Sequence, residues 1–229
     1  MLNTISFQSV ANDPVASSRF FAAPADIKTT VPTVAQESEP VPGRRKRLKP
    51  GERRVQILQT LAHILEQPGS ERVTTSLLAG RLQVSEAALY RHFASKAQMF
   101  EALLELIESA VNGLINEAAK NAGPGRERIA QLVARILAFA EANPGLGRVM
   151  AGDALVLEHE RLQSRMNALF DRFEATLKLC LEADGIADAA TNAELITAFT
   201  LGRIHLWSRS GFTRKPLINL DPCLNRLLS

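Results

Sequence analysis

The 229 residues carry 46% hydrophobic side chains, 5% aromatics, two cysteines and a formal charge of +3. That apolar content suits a buried core in one or two domains, while Cys180 and Cys223, in positions that read as helix interior and tail, argue against a disulfide framework or a cysteine metal site. No uncharged apolar run approaches the ~18 residues of a membrane span, and the N-terminus lacks the early basic region and apolar core of a secretory signal, so the expectation is a cytoplasmic protein.

Residues 1–42 hold Pro14, Pro24, Pro32, Pro40 and Pro42 among Ala, Ser, Thr and Val. Prolines at this density break helical and strand runs, and the segment reads as a disordered extension. Charge then becomes uneven. Residues 43–54, GRRKRLKPGERR, contain seven basic groups and one acidic group, against 18 basic and 19 acidic groups in all that follows. Arg44, Arg45, Lys46 and Arg47 form a basic arm over 43–50, suited to phosphate contact or minor-groove insertion, and equally to a solubilising linker. From Glu52 to Gln67, Val55, Leu58, Ala62 and Leu65 recur at helical spacing, widened by Ile57, Leu61 and Ile64, until Pro68 and Gly69 end the helix.

The stretch Thr74–Lys96, TTSLLAGRLQVSEAALYRHFASK, holds two short helical patterns around a tight turn. Leu77, Leu78, Ala79 and Leu82 mark the first, with Thr74 and Thr75 as hydroxyl caps. Ser85 caps the second, Glu86 to His92, in which Ala88, Leu89 and Phe93 face inward and Ala87, Tyr90, Arg91 and His92 outward. A buried helical hairpin has this pattern, and so does a helix-turn-helix over 74–93 whose second helix enters a major groove. In the second case Thr74 and Thr75 offer hydrogen bonds to phosphate at a helix N-terminus. Tyr90 and His92 reach backbone oxygens and Lys96 adds charge, while Ser85, Glu86, Ala87 and Arg91 are placed for base edges or neighbouring phosphates. Tyr90 also suits a packing role with its hydroxyl exposed, and Glu86 a solvated one.

Ser95 and Gln98 read as a capping box opening a long helix to about Lys120. It is apolar on two adjoining faces, Met99, Leu103, Leu106, Ala110 and Leu114 on one, Phe100, Leu104, Ile107, Val111 and Ile115 on the other. So broad an apolar surface bridges two bodies, a DNA-binding domain over 51–111 and a larger helical body over 112–229. A helix from Arg126 to Ala142 follows; Asn143 as cap and Pro144 then open a short one to Met150. The pattern next predicts a helix from Asp153 to Ala183, and a capping box of Thr191 and Glu194 ahead of a last long helix to about Ser210. The fold class expected is all-α. His63, His92, His159 and His205 are scattered over different helices, with no ligand spacing, phosphate loop or nucleophile elbow, so no enzyme, cofactor or metal site is expected.

The run VSEAALYRHFASK resembles the signature of TetR-type regulators, an apolar-Ser-x-x-x-Leu-Tyr-x-His-Phe pattern followed by Ser and Lys, with Gln83 standing where the turn residue is usually Gly. Together with ILQTLAHILEQ and EANPGLGRVMAGDALVLEHERLQSRMNALFDRFEATL, it is similar to the nucleoid-occlusion branch of that family over most of Gly51 to Ser210. The resemblance implies a TetR-like homodimer, bound to double-stranded DNA at palindromic chromosomal sites, that contacts the tubulin-like division protein FtsZ and keeps a septum from closing over the nucleoid. It also implies that Leu162, Met166, Leu169 and Phe173, with Leu195, Phe199, Gly202 and Leu206, supply body core and dimer seam. Leu106, Arg135, Phe139 and Asn143 would line the partner groove, although Leu106 and Phe139 also suit ordinary core. The alternative within the family is a ligand-responsive repressor; with the body's apolar residues already assigned to helix seams, no small-molecule ligand is expected.

Overall fold

The computed structural model describes residues 50–67, 73–155 and 158–228, and among these the regular structure is helical throughout. The basic arm and the N-terminal extension lie outside the described residues.

Three helices make the head. Helix α1 (Pro50–Leu65) begins with a proline, which has no N–H to leave unsatisfied at a first helical position. Its buried stripe is Ile57, Leu58, Leu61, Ala62, Ile64 and Leu65; Val55, which matched the spacing, points to solvent. Helices α2 (Thr75–Leu82) and α3 (Glu86–Tyr90) add Leu78, Ala79, Leu89 and the following Phe93 to this core. Leu77, expected on the inner face of α2, is exposed.

Helix α4 (Lys96–Lys120) runs from head to body without a break at residue 111, so both units share it. Met99, Phe100, Leu103 and Leu104 pack under the head and Ile107, Val111, Leu114 and Ile115 under the body, in one continuous core. Ser95 caps α4 as the sequence predicts, its Oγ accepting from the Gln98 N–H at 3.2 Å. The return bond differs: Gln98 Oε1 accepts from the Ala94 N–H at 2.8 Å, one residue earlier than a capping box requires.

The body contains α5 (Gly125–Ala142), α6 (Pro144–Met150), α7 (Glu160–Ala183), α8 (Ala189–Arg209) and α9 (Leu220–Leu227). Helix α7 packs on α8, α4 and α5 at once. Its side toward α4 is polar: Arg161 pairs with Glu101, Arg165 with Glu108 at 2.6 Å, and Arg172 Nε donates to Asn112 Oδ1 at 3.2 Å. Several boundaries depart from the sequence reading. Helix α7 starts at Glu160 because Asp153–Leu155 form a separate 3-10 turn and His159 takes the N-cap, its Nδ1 accepting from the Arg161 N–H at 3.3 Å. Helix α8 starts at Ala189, which puts Thr191 and Glu194 inside it rather than across its cap. Asn143 is the N-cap residue of α6, as the sequence predicts, but its side chain makes no capping bond; its Nδ2 donates instead to the Phe139 carbonyl at 2.8 Å and closes the end of α5. Helix α9, which no pattern announced, buries Leu220 and Leu224.

Candidate nucleic-acid interface

The turn between α2 and α3 sets the interface. Gln83 adopts φ 54 and ψ 47, the left-handed conformation expected where the family signature carries glycine. Its N–H donates to the Gly80 carbonyl at 3.1 Å, and that of Val84 to Ala79 at 3.0 Å, so the last carbonyls of α2 are satisfied while the chain reverses. Ser85 then caps α3, its Oγ accepting from the Ala88 N–H at 3.2 Å. The short α3 stands on Leu89 and Phe93 and turns its other side outward.

On that side Ala87, Arg91 and Tyr90 are exposed, Tyr90 to 46%. His92 is half-buried, and its carbonyl accepts a hydrogen bond from Arg54 Nη1. The Arg54 guanidinium also lies over the Phe93 ring at 4.0 Å. This arginine of α1 thus fixes the end of α3, a role the sequence reading missed; the only trace of it was its place at the end of the basic run. Thr74 is exposed, and its Oγ1 accepts from the Leu77 N–H at 3.1 Å as the cap of α2. Thr75 Oγ1 donates to Glu86 Oε2 at 2.6 Å, so this hydroxyl proton is engaged by α3 rather than held free for a phosphate, and Glu86 braces the two helices. Lys96 is likewise engaged, with its Nζ 2.5 Å from Oε1 of the buried Glu158. A phosphate contact by Lys96 therefore requires exchange out of this pair. Across the two helices and the turn that joins them, Thr74, Ser85, Glu86, Ala87, Tyr90 and Arg91 are exposed, and Thr75, His92 and Lys96 are half-buried. Exposed caps, a phenol and a guanidinium on two short helices supply donors of the kind that contact a duplex backbone.

Two body surfaces bear on partners. Leu162, Met166, Leu169 and Phe173 are at most 2% exposed inside one protomer, so they serve its core and leave no area for a second copy. The open side of α8 carries Leu195 and Leu206, 51% and 45% exposed, with Phe199 half-buried between them and nothing within 4 Å of a side chain built at Gly202. In the groove of α4 and α5, Leu106 and Phe139 are half-buried against the core, Arg135 pairs with Glu117, and Asn143 is buried with its amide already bonded. Of those four, Asn143 shapes the bend from α5 into α6 rather than the surface. Among the described residues no group of His, Cys, Asp and Glu is placed to hold a metal ion, and no helix is long and apolar enough to cross a membrane.

The model for bacterial regulatory proteins of the tetR family matches residues 57–103, and that for the tetracyclin repressor-like, C-terminal domain of SlmA type matches 126–228. Among solved structures, a TetR-like transcriptional regulator from Rhodococcus sp. RHA1 superposes with a TM-score of 0.64 at 17% identity, covering 79% of this chain and 94% of that one. The nucleoid occlusion factor SlmA of Alteromonas mediterranea is 45% identical over 176 residues, 74% of this chain and 90% of its own length. That of Photobacterium profundum is 44% identical over 177 residues, again 74% of this chain and 90% of its own length. A match of this length exceeds either unit alone, family models cover both the head and the body, and the all-α chain therefore belongs to the SlmA family of TetR-type proteins.

Proposed function

We propose that the protein is a nucleoid-occlusion factor: a dimer that binds palindromic chromosomal DNA through its two heads and, so bound, antagonises FtsZ assembly over the nucleoid. The observation that carries this reading is the 45% identity to a nucleoid occlusion factor over 176 residues, 90% of that protein's length. The exposed edge of α3 supports the DNA half of it, with Arg91 and Tyr90 positioned for phosphate and groove contact and the arm Arg44, Arg45, Lys46 and Arg47 adding charge just ahead of α1. The apolar side of α8 supports doubling, because Leu195 and Leu206 are costly to leave in water and a two-fold axis would cover both at once. Leu106, Phe139 and Arg135, between α4 and α5, are the surface we assign to the division protein. Soluble and nucleoid-associated is the state this function requires, and it needs no cofactor.

The experiment is sedimentation of FtsZ polymer with the protein, with and without palindromic duplex. DNA-dependent loss of polymer is expected; polymer indifferent to the DNA returns the case to a repressor. That second reading, a ligand-responsive TetR-type repressor, is favoured by one feature, a cavity of about 550 Å3 between α7 and α8 lined in part by Met166, Phe170 and Leu201. The buried Thr197 hydroxyl on its wall has no hydrogen-bond partner. Mapping of bound sites separates the two: palindromes dispersed over the chromosome favour occlusion, and a single promoter-proximal operator favours repression.

A further inference from the structure

Arg148, on α6, is 5% exposed. Its Nη1 donates to the Gln67 carbonyl at 3.1 Å, in the turn that ends α1, and its guanidinium lies over the Phe212 ring at 4.9 Å. Phe212 in turn meets Trp207 of α8 edge to face, ring centroids 4.8 Å apart, and the Trp207 indole N–H donates to the Phe212 carbonyl at 3.2 Å. One buried cation therefore touches the turn that ends the head's first helix and, through Phe212 just past the end of α8, the Trp207 side chain of the body. Packing alone is a poor reason for it, since an apolar side chain of similar volume fills such a place without desolvating a charge. The C-terminal carbonyls of α1 favour a cation, and a guanidinium, unlike the ammonium of lysine, can give an N–H to a carbonyl while presenting a flat face to a ring.

We infer that Arg148 is a positioning residue, fixing the angle of each head on its α8 and so the distance between the two reading helices of the dimer. That distance decides which half-site spacing the protein accepts, because two recognition helices bind together only where the half-sites fall at their separation along the duplex. The inference rests on the dimer-on-palindrome reading above.

The test uses the full chain and the strongest palindromic duplex that the wild type selects from a random-sequence pool. Affinity is measured for that duplex, for the same duplex with two base pairs inserted at its centre, and for a single half-site. Wild type should prefer the first over the second by on the order of tenfold or more, the range of ordinary coupling between sites. Arg148→Lys keeps the charge and loses the fork and the flat face; Phe212→Leu keeps an apolar side chain and leaves Arg148 intact. Both should retain the wild-type affinity for the single half-site while their preference between the two full duplexes falls toward one. Preference unchanged in both variants overturns the inference, as does an equal loss on all three duplexes, which is damage to the head itself. A wild type that binds the palindrome no better than the single half-site overturns the dimer reading, and this inference with it.

Discussion

Gln83 holds the left-handed conformation that the turn of a helix-turn-helix demands, at an expense that a side chain with a Cβ cannot avoid. Gln83→Gly and Gln83→Ala both delete the side chain's own contacts, so the difference between them reports the backbone alone. The glycine variant is expected to be more stable than the alanine variant by about 1 kcal/mol, which is roughly 2–4 °C in a thermal melt followed by circular dichroism. Equal melting temperatures would mean that the turn is not held there. On the exposed edge, Tyr90→Phe removes one hydroxyl and should weaken DNA binding by about 1 kcal/mol on every sequence alike, as a phosphate contact does. A change confined to one base pair in competition binding would make Tyr90 a base reader instead. The caps at Thr74, Ser85 and Ser95 were legible in the sequence because a cap and its amide lie within one helical turn. The links from Thr75 to Glu86 and from Lys96 to Glu158 were not, since they depend on where two separate helices come to rest.

Helices here hold one another by their ends as much as by their sides. The carboxylate of Asp184, after the last turn of α7, accepts from the N–H groups of Gly125 and Arg126, at 2.7 and 3.0 Å, and so caps the N-terminus of α5. Those two backbone donors hold its pKa below the ordinary carboxylate range. A depressed folded pKa gives stability that is present above the unfolded value, about 3.9, and that is lost as the pH falls through the folded one. Asp184→Asn should therefore lower the melting temperature at pH 7, with the gap to wild type closing as the pH falls below the unfolded value and through the depressed folded one. A gap that stays constant with pH would deny the cap. Glycines show the same dependence on neighbours: a Cβ at Gly145 of α6 would lie 2.1 Å from the Ala62 carbonyl oxygen of α1, backbone against backbone, whereas one at Gly113 of α4 meets nothing within 4 Å. Gly145→Ala should cost about 1–3 kcal/mol in urea unfolding, and Gly113→Ala should gain about 1 kcal/mol from helix propensity. The sequence showed both as glycines in helical surroundings; only the packing of α6 on α1 separates them. For the same reason the period of three and four found the buried line of α7 but not its start, because a 3-10 turn at Asp153–Leu155 continues the apolar spacing without continuing the helix.

At the scale of the whole molecule, the protomer leaves the side of α8 that carries Leu195 and Leu206 facing water, while Leu162, Met166, Leu169 and Phe173 of α7 are sealed inside. Covering the exposed half of each leucine is worth about 1 kcal/mol, and in a two-fold dimer every such contact occurs twice. A glutamate at either place costs the protomer little, since both positions are about half exposed before any partner arrives. In the dimer it would meet its symmetry mate's apolar surface twice over, and the place at 195 is the more disruptive, since residues 191–199 of α8 carry no cation to pair with it while Arg203 and Arg209 flank 206. Leu195→Glu with Leu206→Glu should thus leave the helical signal and the melting of the single chain intact while shifting sedimentation from dimer to monomer. Affinity for a palindrome should then fall to that for one half-site, because the second head no longer arrives with the first at high effective concentration. A double variant that remains dimeric and still prefers the palindrome would place the seam on another face, and the exposed leucines of α8 would then need a different partner to account for them.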